Sequence, residues 1–247
     1  MAKDAQLDQL ETVGMYIALV EMMLLICALL ALLWRVCRQG RFTFLIWLIC
    51  LLIASDVGAI LLSIGFHFEG SPAHANHTTP LSINMGVSTV LFNAGSLCMQ
   101  WLFAIKYWII SKEVPKLFEG QRVNFGERAY KFLNISGLVI IVLTCIGAGY
   151  FRGQLTMHSV PGTGSPPQNI ADIEEYFYFA MTALELVAGC FLLDALRRIL
   201  KSVKENPFMQ ANQRTMWLHI LFLVFDVGIT VATALFVFRA FSDPSNL

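Results

Sequence analysis

The chain has 247 residues, of which 57% are hydrophobic and only 14% are charged, and its mean hydropathy is +0.65. Soluble domains carry about 25% charged residues, so this composition excludes an ordinary soluble protein and predicts an integral membrane protein in contact with a lipid bilayer. The formal net charge is zero, so nucleic acid is not expected as a partner.

Six hydrophobic segments are long enough to cross a bilayer as helices, which takes roughly 20 residues. They cover approximately residues 13–35, 42–66, 86–110, 132–151, 171–199 and 216–238. We predict an all-α fold, a single membrane domain over residues 1–247 that forms a polytopic transmembrane helical bundle with six spans. The preceding MAKDAQLDQLET lacks the basic start of a signal peptide, so the first span is expected to remain as an anchor.

Lysine and arginine predict the orientation of these spans. Of the 17 basic residues, all but Lys3, Arg152 and Arg239 fall on the side of the connections that follow the first, third and fifth spans. Because cytoplasmic loops carry the excess of basic residues, both termini are predicted on the non-cytoplasmic side. The plasma membrane or the secretory pathway is favoured, although an organelle inner membrane would show the same asymmetry.

The third span carries a polar stripe on an otherwise apolar helix. Thr89, Asn93, Ser96 and Gln100 follow at i, i+4, i+7 and i+11, which places them within a sector of about 60°. Polar groups do not face lipid at low cost, so this stripe is expected to face the interior of the bundle.

Five acidic residues fall within the predicted spans, namely Glu21, Asp56, Glu185, Asp194 and Asp226. A charged group in the bilayer centre costs several kcal/mol, so such a group is protonated, paired, hydrated or bound to a cation. Asp194 can pair with the arginines three and four residues later. For Asp56, Glu185 and Asp226 two interpretations stay open. They are either neutral acids hydrogen-bonded across helices, with Asn93 or Gln100 as partners, or part of a polar site for a proton, a cation or an amine.

Small residues predict where helices approach each other. Ala54 and Gly58 flank Asp56, and Gly228 and Ala232 follow Asp226, in the small-xxx-small spacing that allows close helix packing. Gly189 similarly shares a helix face with Glu185.

The loops contain no motif that predicts catalysis. Asn76 begins a glycosylation sequon on the predicted outer side, and His74 and His77 are too weak a pair to predict a metal site. We therefore expect neither an enzyme nor a cofactor.

The predicted outside amino terminus, the short loops and the span lengths resemble the first six helices of a seven-helix receptor. The likeness is one of architecture alone: the third span ends in KYWIIS rather than in an acidic-arginine motif, and the sixth has no internal proline. No residue role is carried over from that family.

Three functions stay open on this basis. The favoured one is a non-enzymatic helix-packing subunit of a homo- or hetero-oligomeric membrane assembly, whose partners are other membrane protein chains. The alternatives are a cation- or proton-linked transporter or channel that uses the buried acids, and a receptor-like sensor with an outward-facing pocket.

Overall fold

The computed structural model describes residues 2–39, 43–69, 78–118, 128–159 and 168–205, together with Leu221, Val224, Gly228 and Ala232. The five continuous ranges form five long helices, and none of the described residues lies in a strand. The helices are α1 (Ala2–Gln39), α2 (Thr43–Glu69), α3 (Thr78–Phe118), α4 (Arg128–His158) and α5 (Gln168–Glu205). The prediction of an all-helical chain is therefore confirmed for this part of the sequence.

Each of the five helices contains an apolar stretch long enough to cross a membrane. These stretches are Leu19–Arg38, Phe44–Phe68, Thr78–Glu113, Arg128–His158 and Gln168–Ser202. They match the first five predicted spans and give the chain the character of an integral membrane protein. The predicted sixth span lies outside the described residues, apart from Leu221, Val224, Gly228 and Ala232, which are helical and exposed.

Two helices continue beyond the predicted spans. The third and fourth spans were predicted over residues 86–110 and 132–151, whereas α3 covers Thr78–Phe118 and α4 runs on to His158. This extension contains only one glycine, and its first proline comes later, at Pro161. At its start α3 includes Pro80, where a missing backbone N–H costs no helical hydrogen bond. Near its end α3 contains Pro115, which also lacks a backbone N–H. The missing helical hydrogen bond belongs to the last turn of α3.

Contacts divide the chain into two compact units. Unit 1 comprises Met1–Met99 and Cys145–Phe177, and unit 2 comprises Gln100–Thr144 and Tyr178–Leu247. Within unit 1, α1 packs against α2. The core of unit 1 includes the fully buried Met85, Cys145 and Ala148.

Close backbone approach joins α2 to α3 within unit 1. A methyl group added at Gly58 would overlap the backbone nitrogen of Phe92, and one added at Gly95 would lie 2.6 Å from the carbonyl oxygen of Leu51. Ser55 Oγ donates a hydrogen bond of 3.2 Å to the Phe92 carbonyl across the same contact. Glycine and serine let two backbones meet where larger side chains would separate them.

Aromatic side chains form much of the core of unit 2. Trp101 on α3 is buried against Gly137 of α4, where an added methyl group would overlap the indole ring. The Trp101 ring also meets Phe191 of α5 edge to face, with centroids 5.8 Å apart. The second half of α3 is thus fixed by contacts to both neighbouring helices of this unit.

Candidate functional site

Two residues of the polar stripe of α3, Thr89 and Asn93, donate hydrogen bonds to the backbone of α3 itself. Thr89 is 1% exposed, and its Oγ1 donates to the Met85 carbonyl at 2.7 Å. Asn93 is half-buried, and its Nδ2 donates to the Thr89 carbonyl at 2.9 Å. Ser96 is half-buried as well. Bonds of this i to i−4 type use the Thr89 hydroxyl and one of the two N–H groups of the Asn93 amide within the helix itself.

Asp56 lies half-buried on α2 in unit 1. Its Oδ2 atom is shielded from solvent and has no hydrogen-bond partner among the described residues. Asn93, one of its proposed partners, donates an N–H of its amide to the Thr89 carbonyl and not to this oxygen. A buried carboxyl oxygen without a donor is costly in the ionised state, so the local surroundings favour a protonated or solvated acid.

The other residues of the predicted polar site are distributed over the chain. Gln100 and Glu185 are half-buried residues of unit 2. Gln100 Oε1 is buried and, within the described part of the chain, accepts no hydrogen bond. Glu21 is exposed on α1. Asp226 lies outside the described residues, and so does any hydrogen bond that it makes to Asn93 or Gln100.

The predicted packing residues occupy contrasting environments. Gly58 and Gly189 are buried, and Ala54 is half-buried. Gly228 and Ala232 are exposed, and no described atom lies within 4 Å of a methyl group placed on Gly228. The glycosylation candidate Asn76 and the histidines at 74 and 77 lie outside the described residues.

An apolar groove follows the contact between α3 and α4 in unit 1. Its volume is about 320 Å³, and its lining residues are Ser82, Ile83, Gly86, Val87, Val90, Gly149, Tyr150, Gly153 and Gln154. Gly86 and Gly149 meet here through their backbones, because a methyl group on Gly86 would lie 2.8 Å from the Gly149 carbonyl oxygen. Ser82 Oγ donates to the Gly153 carbonyl at 2.6 Å.

This groove offers packing surface rather than chemistry. Ile83, Val87 and Tyr150 on its rim are at least half exposed, so it opens to the surroundings of the helices. Its lining residues include no acid, base, histidine or cysteine. Neither Asp56 nor Asn93 contributes to the lining, so the groove is not a water-filled route to the predicted acid.

Unit 2 contains a polar and aromatic arrangement that we call the Trp108 cluster, formed by Trp108 and Lys112 of α3, Tyr130 of α4, and Asp194 and Arg198 of α5. Trp108 Nε1 donates to Asp194 Oδ2 at 2.8 Å, and Arg198 Nε donates to the same oxygen at 3.0 Å. Lys112 Nζ lies 3.4 Å from the centroid of the Trp108 ring. The Tyr130 ring meets Trp108 edge to face, with centroids 5.9 Å apart.

The sequence predicts only part of this cluster. The spacing of Asp194 and Arg198 predicts a helical ion pair, and the structure contains that pair. The hydrogen bond from Trp108 to Asp194 joins residues 86 positions apart, and helical periodicity carries no information at that range. A tryptophan near the basic end of one span and an acid near the basic end of another are the only sequence signal.

Comparison with protein-family models, with characterised proteins and with solved structures gives no match for this chain.

Proposed function

We propose that this chain is a non-enzymatic multi-pass membrane protein that acts as a helix-packing subunit of a membrane assembly. Its partners would be further copies of itself or other membrane protein chains. The observation that carries the proposal is the exposure of α1, a membrane-length helix that contributes little to the interior of its own chain.

Only 6% of the most apolar stretch of α1 is buried, compared with 44% for α3. Met23, Leu24 and Leu25 are all at least half exposed, and three consecutive positions point to three directions around a helix. Cys27 and Ala31 are exposed and one turn apart, so a second helix can approach α1 closely along that line. In a bilayer, van der Waals packing at small residues is a main source of helix association.

Measuring the mass of the assembly tests this proposal. The full chain would be extracted with a membrane-mimetic polymer that keeps native neighbours, and its particles would be weighed by native mass spectrometry. A protein mass of at least two chains, or of one 27.6 kDa chain together with another protein, is expected. Particles that contain one chain and lipid alone would reject the subunit role.

Thiol cross-linking of membranes locates the contact. A short bifunctional thiol reagent should link Cys27 of α1 to a neighbouring chain, and Cys27→Ala should abolish that product. Cys190→Ala is the matched control, because Cys190 is also exposed but belongs to α5. If only Cys190→Ala removed the product, the contact would belong to α5, and the role proposed for α1 would be rejected.

The proposed topology has six spans with both termini on the non-cytoplasmic side of the plasma membrane or a secretory compartment. Basic residues lie near the C-terminal ends of α1, α3 and α5, at Arg38, Lys112 and Arg198. This shared position supports the proposed orientation. Epitope tags on both termini should be accessible from outside intact cells. A tag that becomes accessible only after permeabilisation would contradict six spans or the orientation.

A second candidate function, proton- or cation-linked transport, is favoured by Asp56. Its buried oxygen lacks a partner among the described residues, and membrane acids in that condition belong to proton or ion pathways in many transporters. The test is proton and cation flux into liposomes that contain wild-type protein, Asp56→Asn or Asp226→Asn. Flux that both substitutions leave unchanged, or no flux above protein-free liposomes, would reject this candidate.

A further inference from the structure

The basic end of unit 2 combines three helices and a strong excess of positive charge. The ranges 106–113 of α3, 128–131 of α4 and 194–201 of α5 contain seven basic and two acidic residues. The basic residues are Lys106, Lys112, Arg128, Lys131, Arg197, Arg198 and Lys201. The acids are Glu113, which is 2% exposed, and Asp194, which is held by Trp108 and Arg198.

The Trp108 cluster fixes the positions of two of these cations. Lys112 Nζ sits on the face of the indole ring at 3.4 Å from its centroid, a cation–π distance. Arg198 is held through Nε by Asp194, while its side chain remains 45% exposed. Within the described part of the chain, the two terminal nitrogens of this guanidinium have no second acceptor. They are therefore available to an anion from outside the protein.

The aromatic residues place this charge at the boundary of the apolar region. Trp108 and Tyr130 pack edge to face near the ends of their membrane-compatible helices. Tryptophan and tyrosine concentrate at the level of lipid headgroups, because their rings are apolar and carry one polar atom. An anion at this level of a bilayer is the phosphate of a lipid, and an arginine with free terminal nitrogens matches its geometry.

We infer that the Trp108 cluster is a binding site for an anionic phospholipid, with the lipid phosphate held between Lys112 and Arg198 and the acyl chains against the neighbouring helices. The role of Asp194 is to position Arg198 and the indole of Trp108. The site is independent of the subunit role proposed above, because it requires no second chain.

Native mass spectrometry of the delipidated full chain tests this site. Phosphatidylglycerol and phosphatidylcholine with identical acyl chains would be titrated separately. Wild-type protein is expected to bind phosphatidylglycerol more tightly than phosphatidylcholine. Each removed cation is expected to weaken phosphatidylglycerol binding about fivefold, so that Lys112→Gln with Arg198→Gln weakens it about 25-fold.

Lys112→Gln alone is the safer variant, because it leaves the hydrogen bonds between α3 and α5 in place, and it should weaken phosphatidylglycerol binding about fivefold. The matched control is Arg38→Gln. Arg38 lies over the Trp34 ring of α1 at the same four-residue spacing, with 5.5 Å from Cζ to the ring centroid. Arg38→Gln is expected to change phosphatidylglycerol binding less than twofold.

Three results would overturn the inference. They are equal affinity of the wild type for the two lipids, equal losses in Lys112→Gln and Arg38→Gln, and a cluster variant that binds phosphatidylglycerol as the wild type does. A final arm replaces lipid by inorganic phosphate or glycerol phosphate. If these soluble anions protect the protein against thermal unfolding as well as phosphatidylglycerol does, the ligand is a soluble phosphate and the lipid assignment is wrong.

Discussion

Trp108 and Asp194 are joined by a hydrogen bond of 2.8 Å from the indole nitrogen to a carboxylate oxygen, which links α3 to α5 within unit 2. The same oxygen accepts a hydrogen bond of 3.0 Å from Arg198. Two donors that approach from different helices hold the carboxylate in one orientation, which an ion pair within a single helix does not achieve.

Replacing Trp108 by phenylalanine should weaken this link. Trp108→Phe keeps an aromatic ring but removes the N–H donor, and we expect a loss of about 1 kcal/mol in the free energy of unfolding. Denaturant or thermal unfolding of the variant and the wild type in the same detergent would measure this loss. Trp34→Phe is the control, because Trp34 is 68% exposed on α1. Equal losses in the two variants would show that the hydrogen bond adds nothing.

A methyl group added at the contact between Gly86 and Gly149 should destabilise the protein. In Gly149→Ala the new methyl group would meet the Val90 side chain and lie 2.5 Å from the Gly86 carbonyl oxygen. Such overpacking costs about 1–3 kcal/mol, which thermal unfolding and gel filtration would detect. Gly228→Ala is the matched control, since no described atom lies within 4 Å of its added methyl group. Because alanine is the better helix former, stability should hold or rise there.

A serine hydroxyl should add to the stability of the protein only where it donates a hydrogen bond to a different helix. Ser82 Oγ donates to Gly153 of another helix at 2.6 Å, whereas Ser63 Oγ donates to Ala59 of its own helix at 2.9 Å. We expect Ser82→Ala to lower the free energy of unfolding by about 0.6–1.7 kcal/mol, and Ser63→Ala to change it little. The unfolding curves of the two variants would be measured side by side. A larger loss of unfolding free energy for Ser63→Ala than for Ser82→Ala would contradict the prediction.

Asp56→Asn should raise stability if the acid has no structural partner. The substitution keeps the shape of the side chain and removes the cost of holding a carboxyl within a membrane span, where it must be either ionised without a partner or protonated. We expect a gain of about 1 kcal/mol in the free energy of unfolding. A loss of the same size would reveal a stabilising partner for Asp56. Glu21→Gln is the control, because Glu21 is exposed and should respond weakly.

Hydropathy was sufficient to predict the five membrane-compatible helices among the six predicted spans, because this signal is local and repeats along the chain. The interior stripe of α3 was also predictable, since a helix places Thr89 and Asn93 on one face. The acceptors of the hydrogen bonds that this stripe donates were not predictable. The donor of Asn93 can bond to a carbonyl of its own helix or to an acid on another, and the sequence carries both options equally.

Contacts between distant residues explain the rest of what the sequence missed. The spacing of Ala54 and Gly58 marks a close approach but does not say that the opposite surface is the backbone at Phe92. The same limit applies to Gly137 and the indole of Trp101. Each pairing depends on the relative height and rotation of two helices, which are tertiary properties.

The glycines that let α3 meet its neighbours also restrict how this sequence can change over evolutionary time. Gly86 and Gly95 face carbonyl oxygens of α4 and α2, and on α4 Gly149 and Gly153 stand one turn apart against α3. The exposed apolar positions of these helices are less restricted, because one apolar side chain can replace another there without a clash against a neighbouring backbone. A relative too divergent for overall similarity to reveal should therefore still carry two glycines nine positions apart in its third helix and two glycines four positions apart in its fourth.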